Sequence, residues 1–222
     1  EIVLITDETG RVLARDLDTL VELKEGLRPS PGTRVRAQIS FQRFFARYLH
    51  LAGMSGTLAE CRRELAALYR RRVVPIPLRQ PSRRQQAADR LFADADARQS
   101  AVVLRVQALQ ARGQPVLVGV DSVAASERLS QALNAAGLPH RVLNARHDAD
   151  EARIGASAGQ RGDITVASQM AGRGTDIPLG DGVAALGGVH VLCCLDTAQP
   201  RLRRQLVGRS ARQGDPGSAE VW

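Results

Sequence analysis

The second half of the chain alternates apolar runs with helix-like stretches, and this alternation constrains the fold more than any other feature. The runs PVLVGV at 115–120 and VHVLCCL at 189–195 are apolar almost throughout, as strands covered on both faces must be. HRVLNA at 140–145 and DITVAS at 163–168 predict two more strands. A helix capped by Ser122 and stopped by Gly137 separates the first two strands. The pattern predicts an α/β fold with a parallel sheet flanked by helices, whose ligands bind beyond the carboxyl ends of the strands.

The first part of the chain is organised differently. Residues 2–14 predict a short hairpin rather than a Walker B strand, so we do not expect Asp7 and Glu8 to be magnesium ligands. Apolar residues at helical spacing in 38–51 predict an amphipathic helix. A second helix is predicted to run from a cap at Ser55 or Thr57 to Tyr69.

A proline-rich linker and a long helix are predicted next. The segment VVPIPLRQP at 73–81 contains three prolines, which is typical of an extended linker. We therefore place a domain boundary after residue 72. Beyond it, an alanine- and arginine-rich stretch from Arg84 to Ala111, closed by Gly113, predicts a helix.

Charge and cysteine usage exclude some classes of function and leave others open. The net charge is +8, and Lys24 is the only lysine among 31 basic residues. A basic surface of this kind suits nucleic acid, anionic lipid or an acidic partner. Cys193 and Cys194 are adjacent in an apolar run, which is typical of core residues and not of a disulfide framework or a metal knuckle. The four histidines lack metal-site spacing, so we expect no structural metal, and no apolar run is long enough to span a membrane. We expect a soluble cytoplasmic protein.

Two loops carry the candidate chemistry. The first follows the predicted strand 163–168 and contains Gly172, Arg173, Gly174 and Asp176; its glycines let the backbone approach a ligand closely. The second is QLVGRSARQGD at 205–215. Its Arg209 and Arg212 are predicted to point the same way from one helical turn, where guanidinium groups bind phosphate oxygens.

Together these loops are similar to the nucleotide-facing edge of the second RecA-like domain of helicase-type motors. Such motors bind ATP between two domains, and the first domain needs a GxxxxGK[ST] loop. Lys24, the only lysine, is followed by Glu25. We therefore expect this chain neither to bind ATP tightly nor to hydrolyse it alone.

Seven segments narrow the resemblance to one family. They are KEG at 24–26, ISFQRFFARY at 39–48, LAGMSGT at 51–57, GQPVLVG at 113–119, VLNARHDADEA at 142–152, MAGRGTDI at 170–177 and the string 205–215. In this order they resemble the SecA protein-translocation ATPases over essentially the whole chain. The resemblance implies a RecA-like (P-loop NTPase-type) fold, with residues 1–72 ending the first motor domain and 73–222 forming the second.

The resemblance also implies residue roles. GMSGT at 53–57 would couple the nucleotide state to domain closure, and Arg209 and Arg212 would be the phosphate-sensing, catalytic arginines. Asp176 would reach the nucleotide from the loop with Gly172, Arg173 and Gly174, and Gln205 would lie in the final motif, facing the domain interface.

The implied activity is ATP-driven preprotein translocation at the cytoplasmic face of the inner membrane, where the protein would be peripheral. ATP and Mg²⁺ would be held mainly by the first motor domain of the same protein. The implied partners are a preprotein, a SecYEG-type membrane channel and that first domain, with anionic lipid and a second copy of the protein as further partners.

The chain also departs from the family pattern. CCLDTAQPR at 193–201 replaces a GTERHESRR-like run, and Val207 and Ala211 stand where arginine and glycine are usual. The chain ends at Trp222 inside a predicted strand, so we expect a segment of a longer protein. Two alternatives remain open at this point. A nucleic-acid helicase half fits the basic charge, although few aromatic residues are available for base stacking, and a non-catalytic binding module fits the altered run at 193–201.

Overall fold

The computed structural model describes residues 22–28, 38–143, 157–168, 176–196 and 200–222. The chain divides into two compact units, Glu1–Leu51 and Ala52–Trp222. The predicted hairpin at 2–14 lies outside the described residues. The domain boundary after residue 72 stays a prediction, because it assigns residues to the first or second motor domain, whereas the two units are defined by compactness alone.

In the first unit the predicted helix over 38–51 is much shorter than expected. Helix α1 spans Phe41–Phe45 and is capped by the Ser40 hydroxyl, which accepts a hydrogen bond from the Arg43 amide at 3.4 Å. After Phe45 the backbone bonds tighten to three-residue spacing, for example from Tyr48 N to Phe45 O, and this ends the α-helix. The apolar periodicity instead produces a cluster of rings, formed by Phe41, Phe44, Phe45 and Tyr48.

The second unit begins with a loop and a short helix. Helix α2 spans Arg62–Tyr69, and its N-cap, Cys61, makes no side-chain capping bond. The predicted caps were wrong: the Ser55 hydroxyl accepts a bond from the Thr57 amide at 3.3 Å within its own loop. This local bond competes with helix capping.

A six-stranded parallel sheet forms the body of the second unit. In chain order its strands are β1 Arg83–Gln86, β2 Val116–Val120, β3 Arg141–Leu143, β4 Ile164–Ser168, β5 Val189–Cys194 and β6 Pro216–Val221. Their order across the sheet is β1-β6-β5-β2-β4-β3, and every pairing is parallel. The helices are α3 Ala95–Gln110, α4 Val123–Ala135 and α5 Pro200–Val207, with a 3₁₀ turn at Val183–Leu186. This is a RecA-like α/β fold, as predicted.

The sheet is covered on both faces. Val116, Val118 and Val120 of β2 point into one apolar layer that includes residues of α3 and α4. Leu117, between them, belongs to a second layer that includes Val207 of α5. Burial on both faces is the reason the central strands are apolar at every position.

The helix predicted from Arg84 to Ala111 was wrong in its first part. Residues 83–86 form β1, which pairs with β6 at the sheet edge, and α3 starts only at Ala95, where Asp94 caps it through a 2.7 Å bond from Ala97 N. Arginine, glutamine and alanine favour helix by intrinsic propensity. Here the backbone bonds to β6 outweigh that preference, which is worth only tenths of a kcal/mol per residue.

The two adjacent cysteines lie in β5 and are buried, which confirms their assignment to the core. Burial raises the pKa of Cys194 to about 12 and also raises the pKa of Cys193. Both thiols are therefore protonated at neutral pH. Among the described residues, no helix is long and apolar enough to cross a membrane.

A buried histidine sits between β5 and β6. His190 is 2% exposed, its Nδ1 lies 2.8 Å from the Ser218 hydroxyl, and its Nε2 lies 3.7 Å from Glu220 Oε1. Arg105 of α3 donates two hydrogen bonds to the same carboxylate oxygen of Glu220. Burial lowers the pKa of His190 to about 4, with the charge of Arg105 acting in the same direction and that of Glu220 against it.

We expect this histidine to make the fold acid-sensitive. In the unfolded chain His190 takes up a proton near pH 6.5, whereas in the folded chain it does so only near pH 4. The stabilising contribution is therefore complete above pH 6.5, falls as the pH drops from 6.5 to 4, and is lost below pH 4; it amounts to at most about 3 kcal/mol. Urea unfolding at several pH values, compared with His190→Gln, measures it. Equal pH slopes for the two proteins would contradict the prediction.

Candidate functional site

A polar cleft lies where the loops after β4 and α5 meet the start of the second unit. It has a volume of about 850 Å³. Its walls come from the loop 55–57, from the linker and β1 at 78–84, from Asp176 and from the segment 204–214. Of the site residues predicted from sequence, Asp176, Gln205 and Arg212 all line this cleft.

An ion pair joins the two predicted loops. Arg212 Nη1 lies 2.8 Å from Asp176 Oδ1, and Arg212 Nε donates to the Gly208 carbonyl at 3.1 Å. The hydrogen bond from Arg212 holds the pKa of Asp176 below its usual range, so the carboxylate is ionised at neutral pH. The guanidinium is thus fixed at the cleft wall from two sides.

Helix α5 holds the loop that begins the second unit. Gln205 Nε2 lies 3.4 Å from Thr57 Oγ1, and Arg204 Nη2 lies 2.7 Å from Glu60 Oε1. On the other side α5 packs against the sheet at Gly119, where a Cβ would come within 2.1 Å of Leu206. The helix therefore connects the loop 55–60 to the central strand β2.

The predicted helical turn carrying Arg209 and Arg212 was wrong. Helix α5 ends at Val207, and the following turn contains Ala211 and Gln213 with φ values of 54° and 50°. Arg212 faces the cleft, whereas Arg209 is half-buried and is not among the described residues that line the cleft. Gly172, Arg173 and Gly174 lie outside the described residues, so their placement stays a prediction.

The charges along the cleft wall favour an anion. Four of the lining residues are arginines: Arg79, Arg84, Arg204 and Arg212. Among the described lining residues, Asp176 alone is acidic, so positive charge exceeds negative charge at the wall. Guanidinium groups bind phosphate oxygens with paired hydrogen bonds. Sequence reasoning missed Arg79 and Arg84, because the first was taken for linker and the second for helix. Their position beside the prolines that lead into the sheet was the available signal.

Comparisons with known proteins agree with this architecture. The family model of the SecA DEAD-like domain matches residues 5–66, and that of the SecA P-loop domain matches residues 81–184. Protein translocase subunit SecA 3 of Magnetococcus marinus is 48% identical over 98% of this chain, and protein translocase subunit SecA 2 of Bordetella avium is 48% identical over 99% of it. Each alignment covers 34% of the relative.

The chain belongs to the SecA family. It spans about a third of the length of the curated relatives it matches. The family membership and the RecA-like fold predicted from the sequence motifs are confirmed.

One departure from the SecA pattern has a structural cost. Ala211, where the resemblance implies a glycine, adopts a φ of 54°, a left-handed conformation that costs a residue with a Cβ about 1–2 kcal/mol. Its backbone lies against Gly217, where a Cβ would come within 2.5 Å of Ala211 N. The turn is therefore held in place by packing rather than by local preference.

We expect Ala211→Gly to stabilise the fold by about 0.5–1 kcal/mol, because relief of the strain exceeds the added freedom of glycine in the unfolded chain. Urea unfolding measures the change. Ala132→Gly, inside α4, is the matched control and should destabilise by about 1 kcal/mol. A loss of stability in both variants would show that Ala211 is not strained.

Proposed function

We propose that this chain is the part of a SecA-type ATPase that closes on a nucleotide held mainly by the first motor domain, and that the parent protein couples ATP hydrolysis to preprotein translocation. The observation that carries the proposal is the Asp176–Arg212 pair in the basic cleft. It joins the segment after β4 to the turn that leads into the amino end of β6, so the cleft borders the amino-terminal edge of the sheet and not the carboxyl edge expected from the sequence.

The cleft residues fit a nucleotide phosphate. Arg212 is held by Asp176 and by the Gly208 carbonyl. A terminal phosphate group carries more negative charge than the Asp176 carboxylate and would bind the guanidinium more strongly. In this role Arg212 stabilises the charge that develops on the transferring phosphoryl group, as arginine fingers do. Arg209 is proposed to assist from the same turn, and Asp176 to orient Arg212.

Magnesium fits the cleft less well. Asp176 is the carboxylate among the described lining residues, and it is already paired with Arg212. Oxygen ligands from several groups are needed to hold Mg²⁺. We therefore propose that Mg²⁺ and most of the ATP contacts belong to the first motor domain and that this chain alone does not hydrolyse ATP.

Helix α5 supports a coupling role for the GMSGT motif. Thr57 contacts Gln205, and Glu60 pairs with Arg204, eight residues before Arg212. A shift of the arginine turn on nucleotide binding would therefore act on the loop 55–60 through α5. We propose that this connection transmits the nucleotide state to the relative position of the two motor domains.

The parent protein is proposed to act at the cytoplasmic face of the inner membrane as a peripheral protein. Its partners would be a preprotein, a SecYEG-type channel, anionic lipid and a second copy of itself. The names of the relatives, protein translocase subunits, favour translocation over a nucleic-acid helicase.

Stimulation of ATP hydrolysis tests the proposal. The full-length protein is assayed alone, with an unfolded preprotein and channel-containing membrane vesicles, and with single-stranded RNA or DNA. We expect a several-fold rise in kcat with preprotein and vesicles and none with nucleic acid. Stimulation by nucleic acid alone would indicate the helicase, and absence of hydrolysis in every condition would indicate the non-catalytic binding module.

A further inference from the structure

Arg84 occupies an unusual position at the edge of the sheet. Strand β1 has four residues. Arg84 is half-buried, and the other three are exposed. The parallel pairing places it opposite Gly217 of β6. Gly217 has no side chain, and this lets the turn at Ala211 approach the sheet.

The guanidinium of Arg84 reaches the arginine turn directly. Arg84 Nη2 donates to the carbonyl oxygen of Ser210 at 3.2 Å. Its Nε is buried and has no hydrogen-bond partner among the described residues. Burial lowers the pKa of this arginine, which reflects the cost of removing a charge from water.

The turn that Arg84 contacts needs support from outside. Ser210 is fully buried and lies between Arg209 and Arg212, and the residues Ala211 and Gln213 adopt strained positive φ values. Strained backbone of this kind persists only where surrounding contacts determine it. Arg84 supplies such a contact from 126 residues away in the chain.

We propose that Arg84 is a positioning residue for nucleotide hydrolysis: through the Ser210 carbonyl it fixes the turn that presents Arg212 to the cleft. This inference rests on the proposed function of the cleft. Arg84 lies outside every motif identified in the sequence, and the proposal assigns it a role in the reaction. Arg84 acts on the reaction through Arg212 and not through the substrate.

Kinetics of Arg84 variants in the full-length protein test the inference. Arg84→Gln removes the charge and shortens the side chain, Arg84→Lys keeps a charged donor for the Ser210 carbonyl, and Arg83→Gln changes the exposed neighbour as a matched control. We expect Arg84→Gln to lower kcat about tenfold with the KM for ATP changed less than about twofold, since a displaced arginine turn weakens transition-state contacts more than ground-state binding. Arg84→Lys should recover most of the rate, and Arg83→Gln should match the wild type.

Two results would overturn the inference. One is a kcat for Arg84→Gln equal to that of Arg83→Gln. The other is a loss of rate that follows only the fraction of folded protein, measured by circular dichroism at the assay temperature, with no recovery in Arg84→Lys. If Arg84→Gln does not fold, Arg84→Met takes its place, because it keeps the apolar stem and removes the donor to the Ser210 carbonyl. A kcat per folded molecule that is about tenfold lower in Arg84→Met and recovered in Arg84→Lys supports positioning, and a wild-type kcat per folded molecule in Arg84→Met contradicts it.

Arg212→Ala, assayed in parallel, separates this inference from the proposed function. Loss of activity in Arg212→Ala with normal activity in Arg84→Gln would refute only the role of Arg84. Normal activity in Arg212→Ala would refute the function assigned to the cleft.

Discussion

Replacing Arg212 by alanine in the full-length protein is expected to lower kcat for ATP hydrolysis by about 10³-fold while the KM for ATP changes by less than about fivefold. The guanidinium lies on the cleft wall, held by Asp176 at 2.8 Å and by the Gly208 carbonyl at 3.1 Å. Its proposed contact to the phosphoryl group strengthens as charge develops, so its loss affects the transition state more than binding. Steady-state kinetics over a range of ATP concentrations separate the two parameters.

The control for this experiment is another arginine of the same unit. Arg112 is exposed in the turn after α3 and does not line the cleft, so Arg112→Ala should leave kcat and KM unchanged. Arg212→Lys should remain strongly impaired, because an ammonium group cannot donate the paired hydrogen bonds of a guanidinium. An Arg212→Ala enzyme as active as Arg112→Ala would contradict the role assigned to this arginine.

Replacing Gly188 by alanine is expected to destabilise the second unit by at least about 3 kcal/mol. A Cβ at this position would come within 1.9 Å of the Pro216 carbonyl oxygen and 2.7 Å of its carbon. The obstacle is backbone at the start of β6, so relief requires β5 and β6 to separate. The left-handed φ of 70° adds the strain of a residue with a side chain. Urea unfolding of the chain measures the loss.

Gly182 is a matched control for Gly188. Its φ is 74°, and a Cβ there would meet no atom within 4 Å. Gly182→Ala therefore carries only the conformational strain, which we expect to cost about 1 kcal/mol. The difference between the two variants isolates the contact between β5 and β6. Equal losses of stability would contradict the close approach of Gly188 to Pro216.

The body of the fold could be predicted from the sequence because its central strands are buried on both faces. Val116–Val120, Ile164–Ser168 and Val189–Cys194 lie where apolar runs predict strands, and Ser122 caps α4 as expected. The edge strand β1 was missed because its residues, RRQQ, carry no apolar signal. Its backbone pairing with β6 depends on residues more than 130 positions away, which local propensity does not report.

The candidate site was predictable in part. The motifs indicated that Asp176, Gln205 and Arg212 belong together, and all three line one cleft. The helical turn assigned to Arg209 and Arg212 was wrong, because α5 ends at Val207 and the next turn has positive φ at Ala211 and Gln213. The prolines before β1 marked the segment that carries Arg84, but they do not indicate its partner. Its contact with Ser210 exists only because the parallel sheet brings β1 beside β6.

The most direct test of the central claim is ATP hydrolysis by this chain, measured alone and after mixing with the proposed first motor domain, produced separately. We expect no hydrolysis by either part alone, and activity in the mixture that is lost when the chain carries Arg212→Ala. Hydrolysis by the chain alone, or no activity in the mixture although both parts fold and associate, would contradict the claim.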